Sequence, residues 1–170
     1  MNTRVLNENY ATKMLKSLIV CIFLSLFIIN LNAYGAGSSS TPSKSASQLR
    51  KEANVYFDQG KQFQEMGKYK EAAVKYERAI KIDRKYAEAW SNLGYTLRKR
   101  DKFDRAVKAY KKAIKLNPNL AEAHEYLGEA YAEMGKFDLA EKELKILRDL
   151  GSEEADELEE FINKRKAEKS

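Results

Sequence analysis

The sequence predicts an all-α protein assembled from repeated helix pairs, and three observations carry that reading. Apolar residues recur at i, i+3 and i+7 from about Ala46 to Ala167, with no strand-like alternation. Breakers are scarce: 170 residues include eight glycines and two prolines, against 31 Lys+Arg and 25 Asp+Glu. That balance suits helices with solvated outer faces. The third observation is the strongest. The same residue types return at a step of 34 positions, three times in succession.

Residues 1–35 read as a secretory signal. Lys13 and Lys16 precede an apolar run, Leu18–Leu31, and Ala33 and Gly35 are small at the two positions a signal peptidase reads. Cleavage after Gly35 and a periplasmic or secreted mature protein are therefore expected. A start at Met14 would give a more compact signal. The rival reading is an uncleaved anchor through residues 18–34, which would tether the same protein to a membrane. Spanning takes about 20 apolar residues, and Asn30 and Asn32 interrupt this run early. Cys21, the one cysteine, lies in the same stretch, so a cleaved chain has no thiol for a disulfide or a thiolate metal site.

Residues 36–45 (AGSSSTPSKS) lack any apolar period and read as a flexible linker. Ser45 and Gln48 have capping-box spacing, which places a helix start at Ala46. The repeats follow. Tyr56, Trp90 and His124 are 34 residues apart, as are Gly60, Gly94 and Gly128. The step also relates Phe63, Leu97 and Tyr131; Tyr69, Phe103 and Phe137; Ala72, Ala106 and Ala140; and Tyr76, Tyr110 and Leu144. Each unit holds two helices. Trp90, Leu93 and Leu97 form one face of a first helix, and Gly94 on that face lets a second helix approach closely. Ala106 and Ala113 are the matching small positions on that second helix, with Phe103 and Tyr110 filling the space between. Gly67 and Gly135 suit a turn at positive φ, and Asp101 takes that place in the middle unit. Pro118 stops the second unit. After Ser152, expected to N-cap, Glu153 and Glu154 favour the positive end of a last helix. Ala155, Leu158, Phe161 and Ile162 form its apolar stripe.

This two-helix, 34-residue pattern resembles the tetratricopeptide repeat family. The match is fullest in residues 87–120 and nearly complete in 53–86, where Gln59 stands in place of leucine. In 121–152 it drifts at Leu144, Leu147 and Arg148. The resemblance implies a domain over 46–170: three antiparallel helix pairs in a right-handed superhelix, closed by a capping helix at 153–167.

Catalysis is not indicated. His124, the single histidine, takes a core-facing first-helix place and is expected to be packed. A zinc site or a histidine-assisted nucleophile would need ligands and partners that are absent. No strand precedes a glycine-rich phosphate loop. The chain is therefore expected to be no enzyme and to take no metal or cofactor.

In such solenoids the first helices line a concave surface, and the family resemblance implies that this groove takes a peptide or helix from a protein partner. The residues opposite the core stripe are Asn54, Phe57, Lys61 and Gln64 in the first repeat. Glu88, Ser91, Tyr95 and Arg98 follow in the second, then Glu122, Glu125 and Glu129 in the third, with Glu133 behind. A family subtype that clamps acidic chaperone tails is not supported: Asn92 matches one clamp position, but Phe57, Glu122 and Tyr126 occupy others.

Charge is uneven. The middle repeat carries nine basic and three acidic residues, the third repeat four and eight. Arg98, Lys99, Arg100 and Lys102 form a dense basic cluster, so an anionic-surface or nucleic-acid binder is the alternative reading. The ten tyrosines and seven phenylalanines fall mostly on core positions, and no nucleic-acid motif accompanies them. The expected function is an exported scaffold or adaptor whose acidic third repeat selects a partner with a basic stretch. Arg98 and Lys102 are expected to neutralise part of that acidic face. Reversing Glu125 and Glu129 to lysine is expected to weaken partner capture without harming the fold.

Overall fold

A computed structural model describes residues 44–169, so the expected signal and most of the linker lie outside the described residues. Among the described residues seven helices follow one another: α1 Ala46–Glu65, α2 Tyr69–Ile82, α3 Ala87–Arg98, α4 Phe103–Leu116, α5 Ala121–Glu133, α6 Phe137–Leu150 and α7 Glu154–Ala167. There is no strand among the described residues. The Ser45 capping box forms as expected, Ser45 and Gln48 each satisfying the other's backbone N–H.

Three helix pairs, α1–α2, α3–α4 and α5–α6, stack in chain order, each second helix packing on the next first helix. The turn inside each pair needs a left-handed residue. Gly67 (φ 69°), Asp101 (φ 57°) and Gly135 (φ 73°) supply it. The following N–H then reaches back to close the helix end: Lys68 to Phe63 O, Lys102 to Leu97 O and Lys136 to Tyr131 O, at 2.8–2.9 Å. Local sterics alone dictate these positions.

The core forms where small residues admit large ones. Ala53, Ala72, Ala79, Ala106, Ala113, Ala123 and Ala140 are fully buried. Tyr76 lies over Gly60 and Tyr110 over Gly94, both rings wholly buried. The close approach expected at Gly94 is thus made by a tyrosine ring, not by helix backbone. A β-carbon there would fall 2.5 Å from Tyr110. Gly94→Ala should cost about 1–3 kcal/mol, as overpacking of a filled core does. An unchanged urea midpoint would show that the ring has room to move.

The third repeat solves this contact differently. Leu144 replaces the tyrosine, and Gly128 is covered instead by Leu158 of α7. The sequence drift at Leu144 is compensated from the capping helix, whose Ala155, Leu158 and Ile162 are buried against α5 and α6. One expectation fails. Ser152 does not N-cap α7: the cap position is Glu153, with no side-chain hydrogen bond, and the Ser152 hydroxyl donates to the Glu154 carboxylate. Gly151 in the left-handed region (φ 66°) ends α6 immediately before, so the chain turns one residue later than the serine suggests.

Candidate functional site: the first-helix face

The face is set by helical period. Residues at i, i+3 or i+4 and i+7 on α1, α3 and α5 lie opposite the stripe that meets the second helices. The structure sorts the expected groove residues by depth. Asn54 and Lys61 are exposed; Phe57, Gln64, Glu88, Tyr95, Glu122 and Glu129 are half-buried. Ser91 (0% exposed), Arg98 (4%) and Glu125 (9%) are buried. Ser91 therefore has no surface to offer a partner. α3 and α5 touch directly, which leaves little room for a short side chain to reach solvent.

Aromatic rings run along this face. Phe57 packs against Tyr86 (centroids 4.8 Å) and Tyr76 (5.6 Å), and Tyr95 against Tyr126 (5.2 Å). Tyr69 meets the edge of Tyr95 at 6.2 Å. Tyr126 was noted in the sequence only for blocking a clamp position. Its aromatic partner lies 31 residues earlier, off the 34-residue step, so the periodic pattern does not reveal it. Asn92 is consumed inside the fold: its amide donates to Glu88 O, and Tyr76 donates to its oxygen.

Arg98 corrects the reading of the basic cluster. Its guanidinium is 3% exposed and turned inward, bonded to Glu129 through one nitrogen and to Glu133 at 3.0 Å through another. Burial opposes the charge, but Tyr110, Glu129 and Glu133 outweigh burial and hold its pKa above the ordinary value. Lys99 and Lys102 remain exposed, and Lys99 lies 5.3 Å from the Tyr95 ring centre. No ion pair joins Lys102 to the acidic face. The surface cluster is thus split, and the acidic face receives a buried arginine in its place. A lysine at 129 would stand against that guanidinium, so the expectation that Glu125 and Glu129 can both be reversed without harm to the fold does not hold.

Glu125 is different again. It makes no hydrogen bond or ion pair, and burial, then Glu129, Glu157, Glu154 and Glu122, push its carboxyl up to about 8. Glu122 is also raised, by burial first and Glu88 next, against the pull of Lys61.

His124 is packed, as expected, and it is bonded at both ends. Nδ1 lies 2.7 Å from Glu143 and Nε2 2.9 Å from Pro118 O. Trp90, one repeat earlier, donates its indole N–H to Arg84 O at 3.2 Å, the same relation six residues back. Two acceptors facing one imidazole favour the doubly protonated ring. The Glu143 bond, against burial and with help from Pro118, raises its pKa. The sign follows: a folded pKa above the unfolded one gives stability that is complete below about pH 6.5 and is lost as pH rises through the folded value. Glu125, also raised, removes stability across the window from the ordinary carboxylate range to about 8. Urea midpoints should fall from pH 5 to pH 8.5. His124→Phe should flatten the part above 6.5, and Glu125→Gln the broader slope; a midpoint independent of pH would refute both assignments.

The comparisons with known proteins agree with this architecture. The TPR repeat family matches residues 53–100 and 94–135. Over residues 53–135 the chain is similar to tetratricopeptide repeats, and it has their helical-repeat fold. No curated protein matches the chain. Among solved structures, the domain is similar to the second TPR of Spaghetti (RPAP3), bound to the HSP90 peptide SRMEEVD. The TM-score is 0.59 at 28% identity, covering 62% of this chain and 97% of that one. The first TPR of the same protein, bound to the same peptide, gives 0.61 at 24%, covering 66% and 91%. The TPR2B domain of yeast Sti1, in its Hsp70 complex, gives 0.63 at 22%, covering 71% and 98%. At these lower identities the likeness shows the tetratricopeptide fold alone.

Among the described residues, no three or more His, Cys, Asp or Glu are grouped to hold a metal ion. The first-helix face of the tetratricopeptide domain presents carboxylates and aromatic rings, an arrangement suited to binding.

Proposed function

We propose that this tetratricopeptide domain is a protein-interaction module that takes a peptide or helix of a partner along α1, α3 and α5. The observation that carries the reading is aromatic surface left half open to solvent on the first-helix face. Phe57 and Tyr126 pack against the core on one side and, with Tyr95, stay half-buried on the first-helix face. Peptide-bound relatives of the same fold support it.

Their acidic peptide is the wrong chemistry for this face. Glu122 and Glu129 would repel it, and Asn92 is occupied by Glu88 and Tyr76. Charge favours a segment with a basic stretch, and complementarity of this kind mainly sets on-rate and partner choice. The signal-like residues 1–35 support placing this scaffold outside the cytoplasm; alkaline extraction separates an exported form from a tethered one.

A photoreactive residue at Tyr95 or Lys61 should cross-link to the partner in cells, whereas one at Lys108, exposed on α4, should not. Equal cross-linking from all three positions would place the contact elsewhere or show it to be unspecific.

A further inference from the structure

Basic and acidic residues of this domain are segregated along the chain. Residues 105–115 on α4 hold five basic side chains and no acidic one, and residues 149–160 hold seven acidic and no basic. Lys108, Lys111 and Lys115 are exposed, and none of them makes an ion pair among the described residues. Beside them a cleft of about 300 Å³ opens between α2 and α4. Ile80, Trp90, Leu93 and Leu97 give it an apolar lining; Arg105, 3.5 Å from Glu77, and Lys108 complete its wall. The fold alone does not require this opening. One repeat later Tyr131 and Glu143 take the places of Leu97 and Ala109, and Glu143 bonds there to His124. A cleft this size lies at the small end of ligand pockets and suits the anchoring side chains of a protein contact.

The acidic run carries a knob to match. Ile146 (37% exposed) and Leu150 (39%) lie one turn apart at the end of α6, two of the five large apolar side chains left exposed among the described residues. Gly151 ends the helix in the left-handed region, so Leu150 stands at the corner where the chain turns into α7. Asp149, Glu153, Asp156 and Glu157, next to it in the chain, are exposed. The last two cations of α6 are already paired, Lys145 with Asp149 and Arg148 with Glu159. An apolar centre within a charged rim is the usual anatomy of a protein contact. We propose that a second copy of this chain seats its Ile146–Leu150 corner in the cleft between α2 and α4, with its acidic run facing Arg105, Lys108 and Lys112.

The cleft and the corner are different surfaces of one domain. A contact between them is therefore heterologous: each copy offers its cleft to one neighbour and its corner to another, and copies add in a row. The first-helix face takes no part, so this contact is separate from the interaction proposed above. A row of copies presents that face many times over, which strengthens the capture of a repeated partner. A photoreactive residue at Lys108 accordingly captures this chain and not the partner.

Sedimentation velocity over a concentration series tests this on the full chain, in a nonionic detergent that keeps the apolar run Leu18–Leu31 from associating by itself. Wild type should form species larger than dimers at about 0.1 M salt. Its self-association should weaken about tenfold or more at about 1 M, where the Debye length falls from about 10 Å to about 3 Å. Two variants divide the contact. Lys108→Glu with Lys112→Glu spoils the cleft, and Ile146→Ser with Leu150→Ser spoils the corner. Each alone should be monomeric. Mixed, they should give dimers and nothing larger, because only one intact cleft and one intact corner remain to meet. That rescue also shows both variants to be folded. A wild type that stays monomeric at low salt overturns the proposal. So does association of either variant alone at wild-type strength, or a mixture that stays monomeric.

Discussion

Removal of Glu153–Ser170 is expected to lower the melting temperature by more than 10 °C and to drive the remaining chain into dimers or aggregates. The capping helix is part of the core. Leu158 is fully buried and sits over Gly128, in the space that Tyr76 and Tyr110 fill in the first two repeats. Without α7 that space opens to water along with the flank of Leu147, itself fully buried. Truncating one such leucine to alanine costs about 2–5 kcal/mol, and each kcal/mol moves the midpoint of a domain this size by several degrees. A three-repeat array is already near the lower limit for a stable solenoid. Leu158→Asp in the full chain should reproduce most of the loss, which separates the effect of the buried contact from that of chain length. Circular dichroism melts and size-exclusion elution check both. An unchanged melting temperature and elution volume for the truncated chain would show that α7 does not dock.

The legible part of this fold was the part governed by steric rules that repeat. A left-handed turn residue, a glycine under a ring and a buried alanine each leave a mark at a fixed step. Gly67, Asp101, Gly135, Gly60, Gly94 and the alanine rows are therefore readable in the sequence. Which residues share the first-helix face was readable for the same reason. Depth within that face was not. Arg98 and Lys99 are adjacent basic residues, yet one is turned inward and the other is exposed. The difference comes from Glu129 and Glu133, 31 and 35 residues away, and from Tyr110 on a different helix. Pairings off the 34-residue step have no periodic signature. Glu125 lies on α5, where α7 docks, and α7 falls outside the three repeats whose step reveals contacts. His124 was read correctly as packed. Its second bond could have been anticipated from Trp90, whose N–H serves the same carbonyl place one repeat earlier.

The buried Arg98 gives the other large effect. Arg98→Ala should destabilise the protein by about 3–5 kcal/mol near neutral pH, the usual cost of breaking a buried ion pair from one side. The reason lies in what is left behind. Glu129 and Glu133 are only 17% and 18% exposed, and with the guanidinium gone their charges have no nearby counterpart. The variant should therefore be rescued by acid. Burial already raises Glu129 against the pull of Arg98; without that pull the folded state holds a proton there that the unfolded state releases, and stability falls as pH rises above the ordinary carboxylate range. Urea unfolding at pH 5 should thus show a much smaller deficit than at pH 7.5. Arg98→Met combined with Glu129→Gln and Glu133→Gln removes the charges together, and it should recover most of the loss, as replacement of a whole buried ionic group commonly does. That recovery would show that the arginine's role is to neutralise the third repeat's first helix, joining it to α3. If Arg98→Ala costs less than about 1 kcal/mol, the range of an exposed pair, and its deficit does not change with pH, then the carboxylates are screened by water and the inward bridge contributes nothing to the fold.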